Sequence, residues 1–314
     1  MSKNNLFRAF QRCLMGEARI SVIIPAYQAA ETIGRALRSV SLQTLAPVEV
    51  IVVDDGSDDG TAELAESMRD HLEGINLIVF RQENRGAGAA RNKAIIESSG
   101  SLLAFLDADD EWMPAKLERS VAELSRGNFS LVAHNSWIVK GREQLLNNCA
   151  ERFKVPGDPY GSLYKRGYID TCTVVVRRDL VFAVGGFDET LPSAQDFDLW
   201  LAVLQDPEEK FLVFEDILSR YYVTPGSIMS FTERRRTCGL RIARRFVPVL
   251  KKRGISWLSA IVFRVFAIHY EAISSYWEMR RISFIVRTML MLSIALVETL
   301  IRGFMSDYRR PKNL

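Results

Sequence analysis

The sequence predicts an α/β protein: a mostly parallel central sheet with flanking helices, followed by a basic helical region. Three observations carry this. Short apolar runs alternate with helical stretches from Arg19 onward. The runs end in loops rich in Pro, Asp and Gly rather than in hairpin turns. The charge then changes sign along the chain. Residues 233–314 hold 17 Lys/Arg against 5 Asp/Glu, leaving 24 against 33 in the rest of a 314-residue chain with net charge +3. An acidic body joined to a basic tail predicts two parts with different partners.

Residues 1–18 read as a basic lead-in. Residues 20–25 are an apolar run stopped by Pro25, the pattern of a buried strand. Residues 31–43 place Ile33, Ala36, Leu37 and Val40 at helical spacing. Residues 48–53 form a second buried run, closed by an Asp- and Gly-rich loop. A helix over 61–72, a strand over 75–81, a helix over 87–98 and a strand over 101–106 follow. After Pro114 the pattern mixes: helices over 115–124 and 196–204, strands over 131–139 and 173–176. The expected division is 1–18, a catalytic domain over 19–232, and a helical region over 233–314.

In parallel sheets ligands sit beyond the carboxyl ends of the strands. Pro25-Ala26-Tyr27, Asp54-Asp55 and Asp107-Ala108-Asp109-Asp110 stand at those ends and should meet in one crevice. Two carboxylates around one small residue suit a hard divalent cation, whose shell also takes substrate phosphates. Asp107 and Asp109 are therefore candidate ligands for Mg²⁺ or Mn²⁺ bridging a diphosphate. The plainer reading of such acids is capping of the next helix. Asp54 and Asp55 can accept hydrogen bonds from a base N–H or ribose hydroxyls, or simply form an acidic turn. Asn84-Arg85-Gly86-Ala87-Gly88 leads into a helix that carries Arg91, a candidate phosphate or ribose contact. Its glycines resemble a dinucleotide fingerprint but follow the third strand. Pro25-Ala26-Tyr27-Gln28 stands after the first, which excludes a nicotinamide dehydrogenase. The flexible turn Gly185-Gly186-Phe187 precedes Gln195-Asp196 at a helix start. Asp196 is read either as a cap or as a base taking a proton from an acceptor hydroxyl.

Four cysteines (Cys13, Cys149, Cys172, Cys238) show no CxxC spacing, and three histidines do not cluster, which predicts reduced thiols. Residues 1–20 lack the apolar core of a signal peptide, so the catalytic part is expected in the cytosol.

Five motifs then stand in order: Ser21-Val22-Ile23-Ile24-Pro25-Ala26-Tyr27, Val53-Asp54-Asp55-Gly56-Ser57, Asn84-Arg85-Gly86 through Arg91-Asn92, Phe105-Leu106-Asp107-Ala108-Asp109-Asp110, and Gln195-Asp196-Phe197-Asp198-Leu199-Trp200. Together they resemble family 2 glycosyltransferases over roughly residues 19–230. The resemblance implies a Rossmann-like GT-A fold and inverting, single-sugar transfer from a nucleotide-sugar, with a UDP-sugar the first expectation. It assigns Pro25, Tyr27 and Asp55 to the base and ribose site. Asp107 and Asp109 become the DxD, with Asp109 the direct metal ligand, and Asp196 the catalytic base. Trp112 and the turn containing Gly186 and Phe187 fall near the sugar and acceptor, with Gln195 where many members carry Glu. Thr224 stands where the family often carries His.

Residues 258–266 and 284–301 are the most apolar stretches, the second long enough to span a bilayer. Arg280, Arg281, Arg287, Glu298 and Arg302 fall on one narrow helical arc, and Arg264, Glu271 and Glu278 recur every seven residues. Such helices are expected to lie in a membrane interface, with soluble packing or dimerisation, or a true span, as the alternatives. The aliphatic surface speaks against nucleic acid. The expected acceptor is a saccharide, lipid-linked, at the cytoplasmic face of the inner membrane in surface polysaccharide assembly. A catalytically silent nucleotide-sugar-binding module is the alternative.

Overall fold

A computed structural model of the chain describes residues 18–167, 169–223, 232–305 and 310–314. The lead-in (all but Ala18) and the loop expected to carry Thr224 lie outside the described residues.

The first half alternates as the periodicity predicts: β1 (Ile20–Ala26), α1 (Ile33–Ser41), β2 (Glu49–Asp54), α2 (Thr61–Ser67), β3 (Asn76–Arg81), α3 (Ala87–Glu97) and β4 (Leu102–Phe105). The two-residue β5 (Glu111–Trp112), α4 (Lys116–Gly127), β6 (Leu131–Lys140), β7 (Glu143–Asn147) and α5 (Pro159–Arg166) follow. Then come β8 (Val175–Arg177), α6 (Arg178–Ala183), α7 (Gln195–Val203) and β9 (Phe211–Tyr222). Four helices close the described chain: α8 (Thr232–Arg245), α9 (Val247–Lys252), α10 (Trp257–Glu278) and α11 (Ile282–Phe304).

The strands form one nine-stranded sheet, β3-β2-β1-β4-β8-β6-β9-β5, with β7 paired to β6. The β3-β2-β1-β4 half is parallel. Beyond it β8 runs antiparallel to both β4 and β6, so the sheet is mixed. Strand order reverses between β1 and β4, the switch point at which loops diverge and leave a crevice.

Alternate residues of each strand face opposite cores. Ile23, Ile51, Val53, Leu103 and Phe105 pack with Ala90, Ala94 and Ile95 of α3 and with α7. Val22, Ile24, Val50, Val52 and Ala104 pack with Ile33, Ala36, Leu37 and Val40 of α1 and with Leu117 and Val121 of α4. The first core continues past residue 232, taking in Ile242 and Ala243 of α8, Phe246 at the junction and Leu250 of α9. The composition boundary at 232/233 is therefore not a break in packing. Helices α10 and α11 rest on α8 through smaller clusters such as Leu240, Val265, Ile268 and Ala295.

Candidate functional site

Because β1, β2 and β4 are parallel neighbours, their C-terminal ends open on one edge. Pro25 is buried where β1 pairs with Val53, and Tyr27, just beyond it, is 55% exposed at the crevice. The two acids at the end of β2, Asp54 and Asp55, are buried at that edge. Asp54 accepts from the Ser57 amide (3.1 Å) and hydroxyl. Asp55 accepts from the amides of Arg85 (2.9 Å) and Gly86 (2.7 Å) and from Gln82 Nε2 (2.8 Å). At 3% exposure Asp55 thus fixes the loop that starts α3.

The acidic loop after β4 is tied down from three sides. Asp107 pairs with Arg91 of α3 at 2.5 Å. Arg91 is therefore directed at this carboxylate, not left open in the crevice. The Asp109 carbonyl accepts from the Arg35 guanidinium, which stacks 3.8 Å from the Tyr222 ring centre. Asp110 accepts from the Tyr222 amide at 3.0 Å and is fully buried, with its second oxygen unpartnered. Burial, then the charges of Asp107 and Asp109, push its carboxyl well above the usual range. Asp107 and Asp109 remain partly exposed. Among the described residues no three His, Cys, Asp or Glu side chains converge as a complete metal cage. Two partly exposed carboxylates beside a buried third fit a cation whose remaining ligands are diphosphate oxygens.

Asp196 stands in the first turn of α7, accepting from Thr171 Oγ1 (2.8 Å) and the Phe197 amide (2.8 Å). Asp170 lies beside it, bonded by Ser136 and Asn147 at 2.7 Å each. Burial raises the Asp170 carboxyl, and the charge of Asp196 adds to this. The segment Thr171–Thr173 joins the two acidic groups. Cys172 accepts at its carbonyl from Trp112 Nε1 (2.7 Å), and its thiol is raised by burial and by Asp110, Asp170 and Asp107. Asp107, Asp110, Asp170 and Asp196 therefore share one region. The three described cysteines are free and buried, with thiols raised by burial, so none is a nucleophile.

The residues expected on the acceptor side are all buried. Trp112 is 2% exposed, with Lys116 Nζ 4.0 Å from its ring centre, and Phe187 is wholly buried against Phe105 and Trp200. Both support the site from beneath. Gly186 is covered by Leu314, and its turn is held rather than flexible: Asn92 bonds both the amide (2.7 Å) and carbonyl (2.9 Å) of Phe187. Gln195 turns back to the Leu191 carbonyl (2.6 Å) and lies over Gly88 of α3. Sequence reasoning missed Thr171, Asp170 and Arg35. No spacing rule marks a lone Thr or Arg whose partner is distant in sequence. Asp110 and Asn92 lay inside the quoted motifs without a role.

The sequence matches the profile "Glycosyl transferase family 2" over residues 21–180. It is 32% identical over 217 residues to UDP-Glc:alpha-D-GlcNAc-diphosphoundecaprenol beta-1,3-glucosyltransferase WfgD of Escherichia coli, covering 69% of this chain and 81% of that protein. Three other curated relatives are matched over 30%, 58% and 35% of their own length. Among solved structures, the fold resembles S. aureus TarS in complex with UDP-GlcNAc, with TM-score 0.59 and 20% identity over 87% of this chain and 91% of that one. It also resembles the mannosyltransferase PcManGT of Pyrobaculum calidifontis in complex with GDP-Man and Mn²⁺, with TM-score 0.57 and 18% identity over 95% and 94%. The crevice at the strand-order switch, the acidic loop after β4 and the span of these matches agree: the chain belongs to glycosyl transferase family 2 and is a glycosyltransferase.

Proposed function

We propose that this glycosyltransferase moves one sugar, with inversion, from a nucleoside-diphosphate sugar to an acceptor hydroxyl. The observation that carries the reading is the meeting of the acidic loop after β4 with Asp196 of α7, through the segment Thr171–Thr173 between them. Asp196 takes the proton of the acceptor hydroxyl as its oxygen bonds to the anomeric carbon. The bond from that carbon to the diphosphate oxygen breaks on the opposite face, and the diphosphate leaves with the electron pair. Thr171 holds one Asp196 oxygen, so the carboxylate keeps its orientation. Asp107 and Asp109 are the residues that would hold Mg²⁺ or Mn²⁺, which supplies neutralisation of the leaving diphosphate. Tyr27 and the loops framed by Asp54 and Asp55 line the nucleotide side. WfgD, named for UDP-Glc, and TarS, solved with UDP-GlcNAc, support a uridine donor.

The acceptor we propose is a lipid-linked saccharide in surface polysaccharide assembly at the cytoplasmic face of the membrane. WfgD is named for a diphosphoundecaprenol acceptor, and AmsB of Erwinia amylovora for amylovoran biosynthesis. Helices α10 and α11 are each long and apolar enough to cross a membrane, yet only 39% and 22% of their most apolar windows are buried. A core helix of a soluble protein is mostly covered, so these two offer apolar surface to lipid.

The test is nucleoside-diphosphate release by membrane fractions given a panel of nucleotide sugars and lipid extract, with Mn²⁺ or with chelator. Release that needs metal and lipid extract, and that falls about a hundredfold or more in Asp196→Asn, supports the reading. Equal release by Asp196→Asn removes Asp196 as the base. Nucleotide binding without turnover on any donor would point to a silent module.

A further inference from the structure

Residues 310–314 cross directly over the turn that precedes α7. The Arg310 side chain is 2% exposed. Its Nε donates to Asp198 at 2.7 Å, Nη1 to the Val184 carbonyl at 2.5 Å, and Nη2 to the Gly186 carbonyl. Asn313 adds an amide bond to the Gly185 carbonyl (2.9 Å) and a side-chain bond to the Phe187 carbonyl (2.6 Å). Gly185 and Gly186 both have left-handed φ, +81° and +70°. A Cβ on Gly185 would lie 2.6 Å from Lys312 Cα, and one on Gly186 2.5 Å from Leu314 Cγ. Two glycines thus meet two demands at once: a backbone bend few other residues adopt, and room for a second chain lying on it.

The same guanidinium reaches α7. Asp198 is fully buried, one turn into the helix and two residues after Asp196. Its other oxygen takes Arg245 Nη1 at 2.6 Å, and Arg245 Nη2 goes on to the buried Asp188 at 2.7 Å. Asp188 is itself part of the turn's exit, bonding Thr190. Two buried carboxylates and two buried guanidiniums therefore lock the turn, α7 and α8 together.

We propose that Arg310 and Asn313 are positioning residues for the transfer: seated on the Gly185–Phe187 turn, they fix the first turn of α7 and so the direction of the Asp196 carboxylate toward the acceptor. The inference rests on Asp196 being the base. It makes residues far from the acidic loop in sequence, beyond α11, part of what completes the site on the acceptor side only.

The experiment uses the full chain in membrane fractions, with Arg310→Ala, Arg310→Lys, Asn313→Ala and Asp196→Asn. Four quantities are read: acceptor-dependent kcat on lipid extract, donor KM, the Kd for UDP by calorimetry on detergent-extracted protein, and thermal midpoint. Arg310→Ala is expected to lose kcat at least tenfold, with donor KM and UDP Kd within twofold. Arg310→Lys should recover only part of this, because one ammonium cannot reach Asp198 and both carbonyls in the same planar fork. Asn313→Ala should lose kcat three- to fivefold, and it carries the test if Arg310→Ala does not fold. If Asp196→Asn is inactive while Arg310→Ala and Asn313→Ala keep kcat within twofold, the positioning role is overturned and the base stands. A lowered thermal midpoint with kcat unchanged below it, or a kcat loss matched by equal loss of UDP binding, also overturns it. If Asp196→Asn is as active as the unaltered protein, the base assignment falls and this inference with it.

Discussion

Lys116 sits beneath the acidic loop with no exposure, its Nζ donating to the Val174 carbonyl at 3.3 Å and stacked on Trp112. Burial lowers its amine to about 7. A lysine lowered in the folded state costs nothing at high pH, where the amine is neutral folded and unfolded. As pH falls below the unfolded value near 10.5 the unfolded chain gains the proton first, and stability drops until about pH 7. The slope is about 1.4 kcal/mol per pH unit for one such proton. Lys116→Met keeps the apolar stem and removes the titration. Urea unfolding at pH 7.5 and 9.5 should show the unaltered protein gaining on the order of 2 kcal/mol that the variant lacks. Parallel curves for the two proteins would rule out a buried, proton-poor amine. At this same scale the positions of Asp107 and Asp109 were legible because they close an apolar run, and that of Asp196 because it opens a helix, while their roles belong to the proposed function. It was silent for Lys116, Thr171 and Arg310, whose roles come from partners 25 to 126 positions away.

Among the elements, α5 shows how a short helix organises its surroundings. Asp158 caps it, accepting from the Tyr160 amide at 2.8 Å, and Pro159 opens the first turn. The helix then buries Tyr160, Leu163 and Tyr164, and the two phenols bond the carbonyls of Leu201 in α7 (3.1 Å) and Ala243 in α8 (2.6 Å). Asp158→Ala is expected to lower the unfolding free energy by about 1 kcal/mol, read as a shifted urea midpoint with unchanged slope; no shift would mean that neither the cap nor Asp158's contact with Arg253 at 3.5 Å contributes to stability. This helix escaped the sequence reading because its pattern is short and carries an internal glycine. Strand β9 escaped for another reason. It runs parallel to β6, but the register shifts between His134 and Ser136, so its burial follows neither strict alternation nor a continuous apolar run. The strands β1, β2 and β4 were legible because both faces are covered and every residue is buried.

At the scale of the molecule, α8 pairs basic side chains with acids of α10 and α11, and large apolar side chains of α10 and α11 face outward. Glu298 pairs with Arg244 of α8 (3.5 Å) and Arg302 (2.8 Å), and Glu271 with Arg235 (3.7 Å). Leu290, Ile294 and Phe304 of α11 are 71%, 65% and 72% exposed, and Tyr270 and Trp277 of α10 both 73%. The sequence predicted one charged arc; the structure turns Glu271 and Glu298 toward the basic face of α8 and leaves Arg280, Arg281 and Arg287 at the exposed α10–α11 end. Water penalises that outward face and lipid does not. Leu290→Glu with Ile294→Glu changes only exposed side chains, so the folded protein should persist. Each aliphatic side chain contributes about 1.5–3 kcal/mol when buried in lipid, so the pair should weaken partition a hundredfold or more. The measurement is flotation of the full chain with vesicles containing phosphatidylglycerol, at low and at high salt. The unaltered protein should float in both, because apolar contact resists screening, whereas the double variant should float weakly at low salt and not at all at high. Equal flotation of the two proteins would remove this face as the membrane contact. Vesicle-independent dimers of the unaltered protein that the variant abolishes would assign the face to a second copy of the chain instead.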